Sequence, residues 1–269
     1  MRRTVLNLAI TLAAIYLLVA AFVYVSSDRL IFLPPPAGYD ADSPDLVWLT
    51  ASDGQRLPAF HLNDPSSEYT VLYNHGNAED IGHVRPALEM LHRLGFSVLA
   101  YDYRGYGLSD GRPTVEGAYR DIEAAYGYLV EQRGVAPERI IVHGFSVGSG
   151  PAIDLAARRP IAGLVLVAPF TTAFRVVTRV PLLPFDRFRN IEKIDDVDAP
   201  VLVVHGTDDG IVPFAHGRSV FEAANEPKRR LWVEGAGHND VLRVAGPAYA
   251  EALAAFRDEL VGADTGAEP

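Results

Sequence analysis

Apolar and polar positions change rhythm twice along this chain. From Thr4 to Val25 no charged residue interrupts a run of 22. At 1.5 Å per helical residue that run reaches about 33 Å, enough for a hydrocarbon core of about 30 Å. The stretch "SSDRLIFLPPPAGYDADSPD" that follows is polar and proline-rich, the composition of a tether rather than of a packed element. Beyond residue 45 a third pattern sets in. Short apolar runs predict strands at "LVWLTA" and "LPAFHLN", flanking "SDGQR" as a hairpin turn, and then at "YTVLYNHG", "FSVLAYDYRG", "RIIVHGF", "GLVLVAPF", "PVLVVHGTDD" and "RRLWVEGAG". Between them, spacings of three and four predict helices near 84–94, 114–132, 147–158, 215–225 and 247–261. Tyr119, Ile122, Ala125, Tyr126 and Leu129 show the apolar face of the second of these.

Buried runs alternating with helices predict an α/β domain: about eight strands, mostly parallel, with helices on both faces. The chain divides into an N-terminal transmembrane anchor (1–25), a linker (26–44), one domain (45–262) and a C-terminal tail (263–269). Residues 171–200 exceed what a crossover between two strands needs and predict a small cap insertion. The competing reading of the N-terminus is a cleaved signal peptide with Val19 and Ala21 before the cut, although the apolar run continues past Ala21. Arg2 and Arg3 precede the run, so the positive-inside rule puts the N-terminus in the cytoplasm and the domain outside it, periplasmic or at the cell surface.

Composition narrows the chemistry. A net charge of −10 leaves nothing to neutralise a row of phosphates, so no nucleic-acid partner is expected. The chain has no cysteine, which removes disulfides, thiolate metal sites and a cysteine nucleophile. No His, Asp and Glu cluster has metal-ligand spacing, and no metal or cofactor is expected. The glycines at 105, 107 and 111 miss the spacing of a dinucleotide fingerprint; Asp102 and Arg104 in the same stretch read as braces beneath the site.

In an open parallel sheet the ligand site lies beyond the carboxyl ends of the strands. One such loop is "GFSVG", Gly144 to Gly148, between a predicted strand and a predicted helix. A sharp turn there lifts Ser146 above the sheet, and small flanking residues let strand and helix close up. A serine hydroxyl needs a base held by a carboxylate. Among eight histidines, His75, His143 and His205 each precede a glycine or end a strand and read as packing residues, while His61, His92 and His216 read as surface or helix positions. His238, in the small-residue loop "VEGAGHND", can project, and it stands last in the order Ser, Asp, His. "HGTDDGIVP" offers Asp208 and Asp209, of which only one can reach the imidazole. Two N–H groups for an oxyanion are expected from Val147, after the serine, and from Asn77, after His-Gly in "YNHGNAED".

Together "HGNAED", "YDYRGYGLSDG", "HGFSVGSG", "HGTDDGIVP" and "GAGHND" resemble the membrane-anchored α/β-hydrolase-domain proteins related to protein depalmitoylases and serine aminopeptidase-like hydrolases. The resemblance covers roughly residues 30 to 260. It implies the α/β-hydrolase fold and a catalytic set of Ser146, Asp209 and His238 with Asn77 and Val147 at the oxyanion. The cysteine-rich N-terminus of the animal depalmitoylases is missing, and a spanning segment stands in its place. The expectation is a serine hydrolase of carboxylic ester or thioester bonds, acting on a small-molecule or acylated substrate through an acyl-enzyme. The alternatives are a peptidase or amidase of the serine aminopeptidase type and a non-catalytic hydrolase-fold binding protein. Natural substrate and oligomeric state are not readable from these residues.

Overall fold

The structure, a computed structural model, describes residues 2–265. Helix α1 (Arg2–Ile31) is longer than the apolar run that starts it. Its last six residues are held from outside: Val115 N donates to Asp28 (3.2 Å) and Arg187 Nε to Ser27 Oγ (3.0 Å). The expected linker is therefore not a free tether. Phe32 is buried between the rings of Tyr106 and Phe188. Leu33 N donates to Asn77 Oδ1 (2.9 Å) and Gly38 N to Asp80 (2.6 Å), and Tyr39 OH donates to Asp102. Residues 32–39 form a surface strap pinned at its two ends, by Phe32 and Leu33 at one and by Gly38 and Tyr39, on the buried carboxylates of Asp80 and Asp102, at the other.

Strands β1 (Leu46–Thr50) and β2 (Arg56–Leu62) form the hairpin expected around "SDGQR". There follow β3 (Thr70–Asn74), α2 (Arg85–Arg93), β4 (Ser97–Tyr101), α3 (Val115–Gly127), β5 (Ile140–Phe145) and α4 (Ser149–Ala156). The chain continues through β6 (Gly163–Val167), α5 (Ala173–Thr178), β7 (Val201–Gly206), α6 (Phe214–Ala223), β8 (Lys228–Val233), α7 (Val241–Ala245) and α8 (Pro247–Thr265). Residues 263–265 of the expected tail belong to α8, and 266–269 lie outside the described residues. The eight strands form one sheet in the order β1-β2-β4-β3-β5-β6-β7-β8, in which β2 runs against both its neighbours and the remaining pairs are parallel.

The parallel strands β3 to β7 are buried on both faces, which their unbroken apolar runs anticipated. One face packs Ile122, Ala125, Ile153 and Val220 from α3, α4 and α6; the other packs Leu88, Leu91, Leu253 and Phe256 from α2 and α8. The edge strand β8 carries exposed Arg229 and Arg230, charges that oppose edge-to-edge pairing. Thr114 caps α3, its Oγ1 accepting from Gly117 N (2.9 Å). The sequence period misses two short helices, α5 and α7, of six and five residues, too short to register a repeat.

The cap segment leaves β6 and returns to β7. Its base is fixed by Asp186, which accepts from Thr172 Oγ1 (2.6 Å) and Phe174 N (2.8 Å), and by Asn190 Nδ2 donating to Phe170 O (3.0 Å).

His143 lies in β5 with its ring stacked on Tyr73 (4.6 Å) and its Nε2 2.8 Å from Tyr249 OH. Burial pushes its pKa from 6.5 down to about 3. A histidine that folds neutral must take up a proton when the chain unfolds in acid, so its contribution is intact above 6.5 and is lost as pH falls toward 3. At pH 4.5 the loss is about 3 kcal/mol. Thermal melts from pH 8 to pH 4.5 are expected to show Tm falling below pH 6.5, and falling less steeply in His143→Phe.

Candidate active site

Beyond the carboxyl end of β5 the backbone turns at Ser146 with φ +52°, a left-handed conformation that a residue with a Cβ rarely adopts. The neighbours leave no room for anything but glycine. A Cβ on Gly144 would lie 2.6 Å from Gly148 O, and one on Gly148 would overlap Asn74 O and His75 O. At Gly150 it would enter the ring of Phe188. Strand, turn and α4 thus close directly onto the end of β3.

The β7 loop places Asp209 with its Oδ1 accepting from Ile211 N (2.9 Å) and Val212 N (2.7 Å). That orientation leaves Oδ2 for the imidazole of His238, whose Nδ1 is 2.7 Å away. On the other side of the ring, His238 Nε2 is 2.9 Å from Ser146 Oγ. The three side chains come from loops after β5, β7 and β8, strands that lie within about 15 Å across the sheet. Phe145 stacks on the His238 ring (5.3 Å, 30°) and limits its rotation. Of the two aspartates, Asp209 is buried against the imidazole while Asp208 is exposed. Burial alone would raise the Asp209 carboxyl. Hydrogen bonds from His205 and His238 and from Val212 N outweigh it and hold the group well below the usual carboxylate range.

Val147 is the second residue of the short helical turn after the serine, where N–H groups have no partner within the turn. The Asn77 side chain is a clamp: Nδ2 donates to Ile31 O (2.5 Å), while Oδ1 accepts from Leu33 N (2.9 Å) and Tyr106 OH (2.7 Å). Sequence reasoning missed that role, because the partner residues lie in the stretch expected to be a tether. It also missed Glu79. Its Oε1 accepts from Gly76 N (2.6 Å), and burial pushes its carboxyl up against the opposing pull of His75, Gly76 N–H and His238. An acidic residue three positions after the glycine of "HGNAED" is the signal that could have found it.

Other histidines have partners away from Ser146: His83 Nδ1 is 2.6 Å from Asp80 and His92 Nδ1 is 3.1 Å from Phe96 O. His75 rests its Nε2 3.3 Å from Asp102, and His205 donates to Val212 O (2.9 Å). His61 and His216 are buried rather than at the surface, beside Tyr128 OH (3.2 Å) and Thr171 (2.9 Å) respectively. Arg104 pairs with Asp53 and Asp121 (both 2.7 Å). A cavity of about 540 Å³, lined by Arg158, Arg159, Asp196 and Asp198 among others, opens at the amino ends of β6 and β7. It lies at the opposite rim from Ser146 and takes no part in this arrangement.

Residues 65–187 match the family Hydrolase_4, described as serine aminopeptidase, S33. Alpha/beta hydrolase domain-containing protein 17B of Homo sapiens is 40% identical over 206 residues, covering 75% of this chain and 72% of that protein. The chain belongs to the family of the alpha/beta hydrolase domain-containing 17 proteins. Protein 17C of Mus musculus is 41% identical over 211 residues, with 77% and 65% covered. Among solved structures, an esterase of Pyrococcus furiosus superposes with a TM-score of 0.71 at 23% identity, over 84% of this chain and 99% of that one. The esterase RhEst1 from Rhodococcus sp. gives 0.63 at 21%, over 80% and 99%. These two likenesses show the fold. By family, then, the chain is a hydrolase of the α/β class.

The strained turn makes a prediction that depends on no assay. Positive φ at a residue with a Cβ costs about 1–3 kcal/mol, which glycine avoids, less its larger unfolded-state entropy. Ser146→Gly is expected to raise Tm by about 2–4 °C for each kcal/mol recovered. A lower Tm in calorimetry would show that the turn is not strained.

Proposed function

We propose that this family member is a serine hydrolase of carboxylic ester or thioester bonds, with Ser146 as nucleophile, His238 as base and Asp209 as the group that orients it. The observation that carries the reading is the unbroken line from Asp209 Oδ2 through both nitrogens of His238 to Ser146 Oγ, at 2.7 and 2.9 Å. Ser146 Oγ attacks the acyl carbonyl as its proton passes to Nε2. The oxyanion that forms lies between the N–H groups of Asn77 and Val147, fixed donors that need no rearrangement when the charge appears. Collapse breaks the bond to the alcohol or thiol, which leaves with the proton from Nε2. Water, deprotonated by the same nitrogen, then releases the acid and restores the serine.

The same reading gives the anchored Asn77 clamp a purpose: it sets where one oxyanion donor stands. The N-terminal helix is read as a membrane anchor with a cytoplasmic N-terminus and an extracytoplasmic domain. What supports it is a single helix, Arg2–Ile31, long and apolar enough to cross a bilayer among the described residues, with Arg2 and Arg3 before the apolar run. The proposed anchor ends at Val25 with the charge-free run, and the residues that follow, from Ser27 on, are held against the domain. The match to serine aminopeptidases over 65–187 favours an amide substrate as the second reading.

A fluorophosphonate probe is expected to label one site per chain, with labelling absent in Ser146→Ala; a folded wild-type chain that takes no label would instead be a binding protein. Asp209→Asn is expected to lower kcat by about 10³–10⁴-fold. Asn77→Ala keeps the N–H but frees the strap, and is expected to lower kcat by about tenfold with KM little changed, since the donor acts on the transition state. Matched p-nitrophenyl esters and p-nitroanilides separate the two readings: faster anilide cleavage would overturn the ester assignment.

A further inference from the structure

The cap leaves three large apolar side chains in solvent within six residues: Val177 (83% exposed), Val180 (52%) and Leu182 (58%). Arg179, between the first two, takes a left-handed conformation that turns the chain, and Pro181 follows it. This tip does not stand alone. It runs along the N-terminal helix and touches it at successive levels. Arg187 Nε donates to Ser27 Oγ (3.0 Å) and its guanidinium covers the Tyr24 ring (4.9 Å). Phe185 meets the same ring edge-on (5.2 Å, 85°). Farther along, Tyr16 OH donates to Leu182 O (3.1 Å).

Those levels set a depth. Tyr16 stands nine residues inside the charge-free run that ends at Val25, about 14 Å along the helix axis. An ordinary tilt shortens that depth only slightly. A helix that crosses a bilayer therefore carries the tip with it, below the phosphates and among the acyl chains. The charge distribution agrees. Arg187 lies at the level where the apolar run ends, beside Ser27 and Tyr24, and Arg179, the one charged residue within 177–182, has a stem long enough to carry its guanidinium back toward headgroups.

We propose that the cap tip, residues 177–182, is a monotopic membrane element, seated in the acyl-chain region of the bilayer that the N-terminal helix crosses, and that it opens the site to acylated substrates arriving from the lipid phase. The base of the cap supports this route. Phe188 packs against Gly150, two residues past the nucleophile turn, so the segment that dips into lipid is rooted beside Ser146. The second half of the proposal rests on the serine-hydrolase reading; the seating of the tip does not.

The absence of cysteine makes a direct test simple. Full-length Val177→Cys, Leu182→Cys and, as a control on the exposed face of α8, Glu251→Cys are each labelled with an NBD fluorophore and placed in phosphatidylcholine vesicles with and without phosphatidylglycerol. At 177 and 182, blue-shifted emission is expected, quenched by nitroxides on lipid acyl chains and insensitive to aqueous iodide; at 251 the reverse is expected. Iodide quenching at 177 and 182 equal to that at 251 would overturn the seating. So would protection from both quenchers, which would mean that protein, such as a second copy of this chain, covers the tip. For the substrate route, Val180→Asp with Leu182→Asp is expected to slow hydrolysis of a long-chain methylumbelliferyl ester held in vesicles by about tenfold or more, leaving water-soluble p-nitrophenyl butyrate unaffected. Equal loss on both esters, or on neither, contradicts the route. A wild-type chain that hydrolyses neither ester defeats the hydrolase reading, while the NBD readout still decides the seating.

Discussion

The architecture turns on one backbone torsion. Ser146 is held at φ +52° at the end of the central strand, and a residue with a Cβ stays there only when its surroundings permit nothing else. They do so by closeness: Gly144, Gly148 and Gly150 bring the turn against its own strand, the end of β3 and the ring of Phe188, with no space for a single added carbon. A sheet buried on both faces makes this possible, since β5 cannot shift without moving β3 and β6 in register with it. The strain aims the hydroxyl out of the sheet, into reach of His238.

Around that fixed point the polar groups are arranged so that orientation needs no adjustment. Two backbone N–H groups hold Asp209 by one oxygen, and the imidazole takes the other. Glu79 adds a second carboxylate to the field of His238 from the opposite loop, itself tied to Gly76 N. The strap after the N-terminal helix belongs to the same assembly, because Asn77 fastens Ile31 and Leu33 to the loop that bears it.

Much of this is legible in the amino-acid sequence. The eight strands follow from local periodicity, and Ser146 and His238 stood out because glycines and small residues mark a backbone forced into special turns. What the chain hid is tertiary. "SSDRLIFLPPPAG" looks like a tether because its packing partners, Tyr106, Phe188 and Asp80, lie 40 or more residues away. His61 and His216 read as surface or helix positions; His216 does lie in α6 and His61 in β2, and neighbouring elements bury both. Adjacent Asp208 and Asp209 are indistinguishable by residue type; the family pattern and the geometry at Val212 select between them.

Convergence of the Asp209 and His238 side chains on Ser146 is what the proposed chemistry requires. The most direct measurement is a crystal structure of the chain after reaction with a phosphonate ester. The expected result is phosphorus bonded to Ser146 Oγ alone, with the phosphonyl oxygen about 2.7–3.1 Å from the backbone nitrogens of Asn77 and Val147. An adduct on another residue, or an oxygen turned away from both nitrogens toward solvent, would contradict it.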